Sequence, residues 1–196
     1  MDKVCDVLIV GSGAAGISLA LSLADYKGSV LLVDGGENDI SHQSQELYEG
    51  EVLRQDLPSG LSGSRLRFFG GSTNCWAGGL GVFDEIDFVE RSWVRNSGWP
   101  IKLDVLRPFY ASAAKLLQID VNQLNEFGNG FLSNVPGFEY RNLLYTKVTR
   151  FKDHFSEKLR AQKNLSIELS MNVKKIHLKN KIIYKITFVN FANESF

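Results

Sequence analysis

The chain has 196 residues, 44% of them hydrophobic, with 22 Lys plus Arg against 22 Asp plus Glu and two cysteines. That length allows one domain, or one and a fraction, with a core that needs no disulfide staples. A net charge of zero excludes a uniformly basic nucleic-acid binder, and no apolar run approaches the roughly 20 residues that cross a bilayer.

The charge is unevenly placed. From Arg141 onward, twelve Lys plus Arg stand against four Asp plus Glu, a local +8 balanced by −8 before it. There the lysines are interleaved with Ile, Phe and Tyr, as on the wet face of a strand, so no nucleic-acid or membrane partner is expected. Cys5 and Cys75 lie in no metal or redox spacing and read as free thiols of a reducing compartment. No metal site is expected. The chain shows no signal-peptide pattern, which points to a cytoplasmic location. All eighteen glycines lie at or before Gly137. The first part is therefore loop-rich and shaped for a ligand, and the rest is ordinary packed structure.

Val4 to Val10 is a short β-branched run bounded by Gly11, the pattern of a strand buried on both faces. Ala14 to Ala24 follows as a helix with Ile17, Leu21 and Ala24 on one stripe, closed by Lys27-Gly28. Ser29 to Val33 is a second buried strand, and β-α-β implies a parallel pair with a right-handed crossover. Residues 34–66 are polar and without clear periodicity, a length of loop that is usually functional. Residues 67–81, RFFGGSTNCWAGGLG, are a glycine-rich loop around a Cys-Trp pair. Leu103 to Leu117 predicts an amphipathic helix with Leu106, Phe109, Ala113 and Leu117 on its apolar face, its regular part starting at Pro108. Asn125 to Gly137 reads as loop, and Lys152 to Gln162 as a helix. Leu165 to Leu169, Val173 to Leu178 and Ile182 to Val189 read as strands, with His177 pointing to solvent.

Gly11-Ser12-Gly13-Ala14-Ala15-Gly16 is a G-x-G-x-x-G pattern. The pattern alone is weak, but here it leaves a strand, opens a helix and precedes a second strand ending in an acid, Asp34. Gly11 makes the tight turn, Gly13 admits a pyrophosphate to the backbone, and Gly16 lets helix and strand pack closely. The helix N-terminus offers free N–H groups and a positive dipole end to the phosphates. Asp34, eighteen residues after Gly16, accepts from ribose hydroxyls and repels a 2′-phosphate, which argues against NADP. The fingerprint alone does not separate NAD from FAD.

The glycine loop makes that separation. Asp34-Gly35-Gly36 is followed by Arg67, Gly70, Gly71, Ser72, Thr73, Asn74, Cys75 and Trp76, with Gly78 and Gly79 beyond. Then come the stretches D-F-V-E-R-S-W-V (Asp87 to Val94) and S-G-W-P-I (Ser97 to Ile101). This order resembles the glucose-methanol-choline (GMC) oxidoreductases, flavoproteins that oxidise alcohols and sugars. Within them it is most similar to the bacterial and pyranose-oxidase-like branch. The resemblance spans about residues 4 to 120 and continues more loosely through the strands after Leu165.

The resemblance implies FAD. Gly11 to Gly16 would hold the pyrophosphate, Asp34 and Gly35 the adenosine ribose side, and Arg67 with Gly70 to Trp76, Gly78 and Gly79 the flavin side. Ser72, Thr73 and Asn74 would bond its polar edge or the pyrophosphate, and Trp76 would wall the pocket. In pyranose-oxidase-like members a histidine at the place of Cys75 carries the flavin covalently. A cysteine thiolate can make a comparable bond if its pKa is lowered, but non-covalent FAD is the expectation.

The resemblance also implies a catalytic histidine far downstream. The histidines here, His42, His154 and His177, lie in no matching motif, so no catalytic residue is assigned. The expected architecture is α/β: a Rossmann-like FAD/NAD(P)-binding portion with a parallel sheet over 1–140, then a helix and strands over 141–196 that begin an antiparallel substrate domain. The chain then reads as the N-terminal part of a larger enzyme acting on the CH–OH group of a sugar or other alcohol. The alternative is a catalytically inactive remnant, or a subunit of a split enzyme that binds nucleotide or a complementary polypeptide. An unrelated NAD- or FAD-linked reductase would carry a second fingerprint or a redox C-x-x-C, and neither is present.

Overall fold

The computed structural model describes residues 3–51, 60–120, 122–123, 135–137, 143–192 and 194. The elements in chain order are β1 (Val7–Val10), α1 (Ala14–Ser22), β2 (Val30–Val33), α2 (His42–Gln45), α3 (Leu61–Ser64), β3 (Gly79–Leu80), α4 (Leu103–Leu116), β4 (Leu144–Tyr145), α5 (Phe151–Arg160), β5 (Leu165–Glu168), β6 (Asn172–Lys179) and β7 (Ile182–Val189). Short 3-10 turns cover Glu46–Tyr48, Gly71–Asn74 and Glu85–Phe88. The chain divides into two compact units, Met1–Trp76 with Arg150–Phe196, and Ala77–Thr149. The expected boundary at 140/141, and most of the loop expected over 125–137, lie outside the described residues.

In the first unit β2 is the middle strand of a parallel sheet of order β1-β2-β5. Val30 pairs with Val7 on one side and Leu165 on the other. A β-branched, aliphatic VLLV segment suits a strand covered on both faces. Helix α1 turns Ile17, Ala20 and Leu21 inward, and α5 turns in Phe151, Phe155 and Leu159. Ile17, Leu32 and Leu159 are fully buried, each stabilising the fold by about 1.5–3 kcal/mol. α1 ends at Ser22, earlier than expected, and the chain leaves it through turns to Tyr26. Asn164 ties that exit to the start of β5, donating from Nδ2 to the carbonyls of Leu23 and Tyr26, both at 2.9 Å. Gly28 lets the Tyr26 ring and the Asp6 carboxylate lie close, as a Cβ there would stand 2.6 Å from Tyr26 Cε1 and 2.7 Å from Asp6 Oδ2. That carboxylate accepts from the Ser29 amide and hydroxyl.

The polar stretch after Asp34 holds two one-turn helices, α2 and α3. α2 starts at Ser41, whose side chain accepts from the Ser44 amide. β6 and β7 form an antiparallel hairpin closed by Asn180 and Lys181, both at positive φ, the demand of a tight two-residue turn. His177 departs from expectation. It is half-buried and bonded to Thr187 Oγ1 at 2.9 Å, while Ile176 and Leu178 beside it are exposed. The reason is that a two-stranded sheet has two faces, and among the described residues no second layer covers the face of Ile176 and Leu178.

In the second unit β3 and β4 pair antiparallel. Asp84 and Asp87 form a reciprocal capping box at the 3-10 turn Glu85–Phe88. Phe83, Phe88 and Trp99 cluster with ring centroids 5.6–6.4 Å apart. Helix α4 runs through Pro108 from Leu103, so the regular part does not wait for the proline. Its more buried stripe is Leu103, Leu106, Tyr110, Ala114 and Leu117, not the stripe through Phe109 and Ala113, which are exposed. The inward residues keep the 3-4 spacing of a helix face, and Tyr110 brings its hydroxyl to the Phe83 amide.

Candidate functional site

The carboxyl ends of β1 and β2 lie side by side because the strands pair in register, Val10 beside Val33. Gly11 follows β1 at φ +99, a conformation suited to glycine, and its amide donates to the Val33 carbonyl at 2.7 Å. A Cβ on Gly16 would stand 1.8 Å from the Gly11 carbonyl oxygen. α1 therefore begins in direct contact with the strand exit. Gly13 is the N-cap, and a Cβ there would meet nothing within 4 Å. The first turn of α1 has no capping side chain and no acidic residue. The amides of Ala14, Ala15 and Gly16 precede the first intrahelical bond, from Ile17 to Gly13 at 3.0 Å. Uncapped donors facing open space beside glycine are the features that suit an anion at a helix N-terminus.

Asp34 stands at the end of β2, nearly buried. Its Oδ2 accepts from the Ser12 amide at 2.6 Å and the Ser12 hydroxyl at 2.7 Å, and its Oδ1 accepts from the Gly36 amide at 2.7 Å. A carboxylate has about four acceptor positions, and these three bonds fill three of them. Ser12 is fully buried; its side chain joins two loops rather than facing a ligand. Gly70 completes that junction, its amide lying 3.2 Å from both the carbonyl and the hydroxyl oxygen of Ser12.

The glycine loop thus rests on the fingerprint. Gly71, at φ +55, lies so close that a Cβ on it would be 3.2 Å from Gly13 Cα. Glycine at position 71 allows this approach, since its φ is positive and a Cβ there would press on Gly13. The polar side chains of the loop are committed to its own backbone. Thr73 Oγ1 donates to the Gly70 carbonyl at 2.6 Å, and Asn74 Nδ2 to the carbonyls of Phe69 and Gly71 at 2.9 and 3.0 Å. Ser72 Oγ accepts from the Leu66 amide at 3.2 Å. Cys75 is an exposed free thiol, with Sγ 3.3 Å from the Ser72 carbonyl. Trp76 is half-buried against Phe151.

Arg67 turns inward as well. Its guanidinium donates to Ser44 Oγ at 3.0 Å and to Asn172 Oδ1 at 2.5 Å, and sits over the Tyr48 ring. Gly35 leaves room for it, since a Cβ there would be 2.2 Å from Arg67 Nη2. Gly78 and Gly79 belong to the second unit. There a Cβ on Gly78 would lie 2.8 Å from the Thr146 carbonyl, and Gly79 pairs with Tyr145. Sequence reasoning missed Ser44, Asn172, Arg150 and Lys152, all of which hold these loops. Each acts through a tertiary contact that leaves no local pattern.

The histidines lie elsewhere: His42 pairs with Glu46 at 3.2 Å on an exposed turn, His154 meets the Phe155 ring, and His177 is in the hairpin. Among the described residues no group of three His, Cys, Asp or Glu side chains could hold a metal, and no helix is long and apolar enough to cross a membrane.

Residues 6–45 match a family model described as an FAD binding domain, the span from β1 through α2. No curated protein sequence matches the chain. Among solved structures, pyridoxine 4-oxidase from Mesorbium loti is similar with a TM-score of 0.52 and 20% identity over 98% of this chain and 47% of that one. A fungal aryl-alcohol oxidase is similar with a TM-score of 0.58 and 13% identity over all of this chain and 44% of that one. The chain spans less than half the length of either structure. Its fold is the α/β fold of FAD-binding oxidoreductases, with a parallel sheet and additional antiparallel strands.

Proposed function

We propose that the chain forms the FAD-binding portion of a GMC-type oxidoreductase acting on the CH–OH group of a sugar or other alcohol. The observation that carries this reading is the seating of the glycine loop on the fingerprint, Gly71 against Gly13 and Gly70 bonded to Ser12. A dinucleotide fingerprint needs only its own turn and helix. A second glycine loop laid against it suits a cofactor with a large flat group beyond its pyrophosphate. The amides at the start of α1 would hold the pyrophosphate, and the remaining acceptor site of Asp34 the adenosine ribose. The backbone of Gly70 to Trp76 would receive the flavin ring. FAD would supply the hydride acceptor, and these residues bind and orient it.

The G-G-S-T-N-C-W loop favours the pyranose-oxidase-like branch, with Cys75 in place of its flavin-linking histidine and FAD held non-covalently. No residue here is assigned as the base for the alcohol, so the chain alone is expected to bind FAD without turnover. Titration with FAD, followed by flavin fluorescence, tests the first part, with NADPH as the comparison ligand. FAD should bind and NADPH should not displace it. Alcohol-dependent dye reduction by the pure chain would refute the second part.

A second reading, a subunit completed by another polypeptide, is favoured by the hairpin. Ile176, Leu178 and Ile183 share one face and are 50–60% exposed, more apolar surface than a solvated strand pair needs. Co-purification of a polypeptide supplying a catalytic histidine would support it.

A further inference from the structure

Three consecutive side chains at the start of α5 reach the loops of the candidate site. Arg150 Nη1 lies 3.1 Å from the Trp76 carbonyl and 3.4 Å from that of Thr73. Phe151 is buried and meets the Trp76 ring edge-on, with centroids 6.2 Å apart. Lys152 donates to the Asn38 carbonyl at 2.7 Å, pairs with Asp39 at 2.5 Å, and sits over the Phe68 ring. Its Cβ would be 3.1 Å from a Cβ on Gly70.

The chain positions give these contacts a purpose. Trp76 is the last residue of the first unit before the chain leaves it, and Arg150 is the first after it returns. One guanidinium therefore ties the exit to the re-entry. Of the two carbonyls it bridges, that of Thr73 lies at the end of the 3-10 turn Gly71–Asn74 and that of Trp76 two residues beyond it, and a carbonyl at a helical end takes its donor from outside the turn. Lys152 ties the segment after Asp34 to the same helix start. Among the described residues the Thr73, Asn74 and Ser72 side chains bond within residues 66–74, and those contacts do not reach residue 76.

We propose that Arg150 is a positioning residue: it clamps the end of the glycine loop in the shape that receives the flavin ring, with Lys152 as the second anchor. This rests on the FAD reading above. Both contacts come from the one nitrogen Nη1, so a lysine ammonium, itself a multiple donor on a shorter reach, replaces them only in part.

The test compares Arg150→Ala, Arg150→Lys and, as a control on the exposed side of the same helix, Lys158→Ala. Amide hydrogen exchange is measured without FAD, and FAD affinity and the visible band of bound flavin with it. Loss of a charged hydrogen-bond donor should speed exchange at residues 71–76 by about 10-fold and weaken FAD by a similar factor. β1 and β2 should stay protected, and the bound flavin band should move toward that of free FAD. Arg150→Lys should recover part of each effect, and Lys158→Ala should change neither. Unchanged loop exchange, faster exchange with unchanged FAD affinity, or equal acceleration throughout β1 and β2 would each overturn the proposal. A wild-type chain that binds no FAD would refute the function proposed above and, with it, the flavin-positioning role.

Discussion

Gly13 and Gly16 are three residues apart in one motif, yet the structure gives them opposite roles. Alanine at Gly16 would put its Cβ 1.8 Å from the Gly11 carbonyl oxygen and 3.0 Å from its carbon. Restoring ordinary contact requires a shift of well over an ångström between α1 and the strand exit. Overpacking of this kind costs about 1–3 kcal/mol and sometimes more, against a helix-propensity gain of about 1 kcal/mol for Ala over Gly. A net loss of about 2 kcal/mol lowers the melting temperature of a chain this size by ~4–8 °C. Alanine at Gly13 meets nothing within 4 Å and keeps an ordinary φ of −71°. It should change stability by no more than about 0.5 kcal/mol. Its methyl group instead fills the space above the helix N-terminus, and FAD affinity should fall about 10-fold or more, equivalent to ~1.4 kcal/mol. Thermal melts by circular dichroism and FAD titrations of both variants give the two numbers. A Gly13→Ala protein with wild-type FAD affinity would refute the assignment of that space to the pyrophosphate, and an unshifted melt for Gly16→Ala would refute the packing argument.

Asp34→Ala removes the acceptor for the Ser12 amide, Ser12 hydroxyl and Gly36 amide, leaving buried donors unpaired at about 1–3 kcal/mol each before relaxation. It should lower the melting temperature by several degrees as well as weaken FAD, whereas a residue serving only the ribose would affect binding alone. Arg150→Ala should loosen residues 71–76 without melting the sheet, as hydrogen exchange would show. In acid, hydrogen bonds from the Ser29 amide and hydroxyl hold the Asp6 carboxyl below the usual range, and the Lys152 ammonium followed by Asn38 does the same for Asp39. Both stay ionised in the fold where the unfolded chain already takes up protons. Their contribution is present above the unfolded carboxylate range near pH ~4 and disappears as pH falls through the depressed folded values. Urea melts from pH 7 downward should therefore lose stability below about pH 4–5, with a shallower acid limb for Asp6→Asn.

Legibility in the sequence followed the range of the interactions. β1, α1 and β2 were readable because strand alternation, helix spacing and the glycine turn are all local. The strands β6 and β7 were readable for the same reason, as two β-rich runs either side of Asn180, although their pairing as a hairpin was not read. That β5 joins β2 in parallel was not, because the partners are more than a hundred residues apart and an LSIE run carries no mark of its neighbour. The candidate site divides the same way. Gly11, Gly13, Gly16 and Asp34 stand where the fingerprint puts them. Ser12 turned out to be a buried junction, and Arg67, Ser72, Thr73 and Asn74 bind their surroundings, because a polar side chain near glycine satisfies the closest free backbone first. The α4 stripe was misplaced at Phe109 and Ala113, where Tyr110 and Ala114 turn inward instead, since an apolar list without a partner surface does not say which side meets the core.

The visible absorption of the purified chain, recorded with added FAD and again after acid precipitation, tests the central claim most directly. A bound flavin spectrum is expected, with the colour released to the supernatant because Cys75 holds no covalent bond to it. A protein that stays colourless with FAD present would contradict the assignment of the fingerprint and glycine loop as a flavin site, and colour retained in the pellet would contradict non-covalent binding.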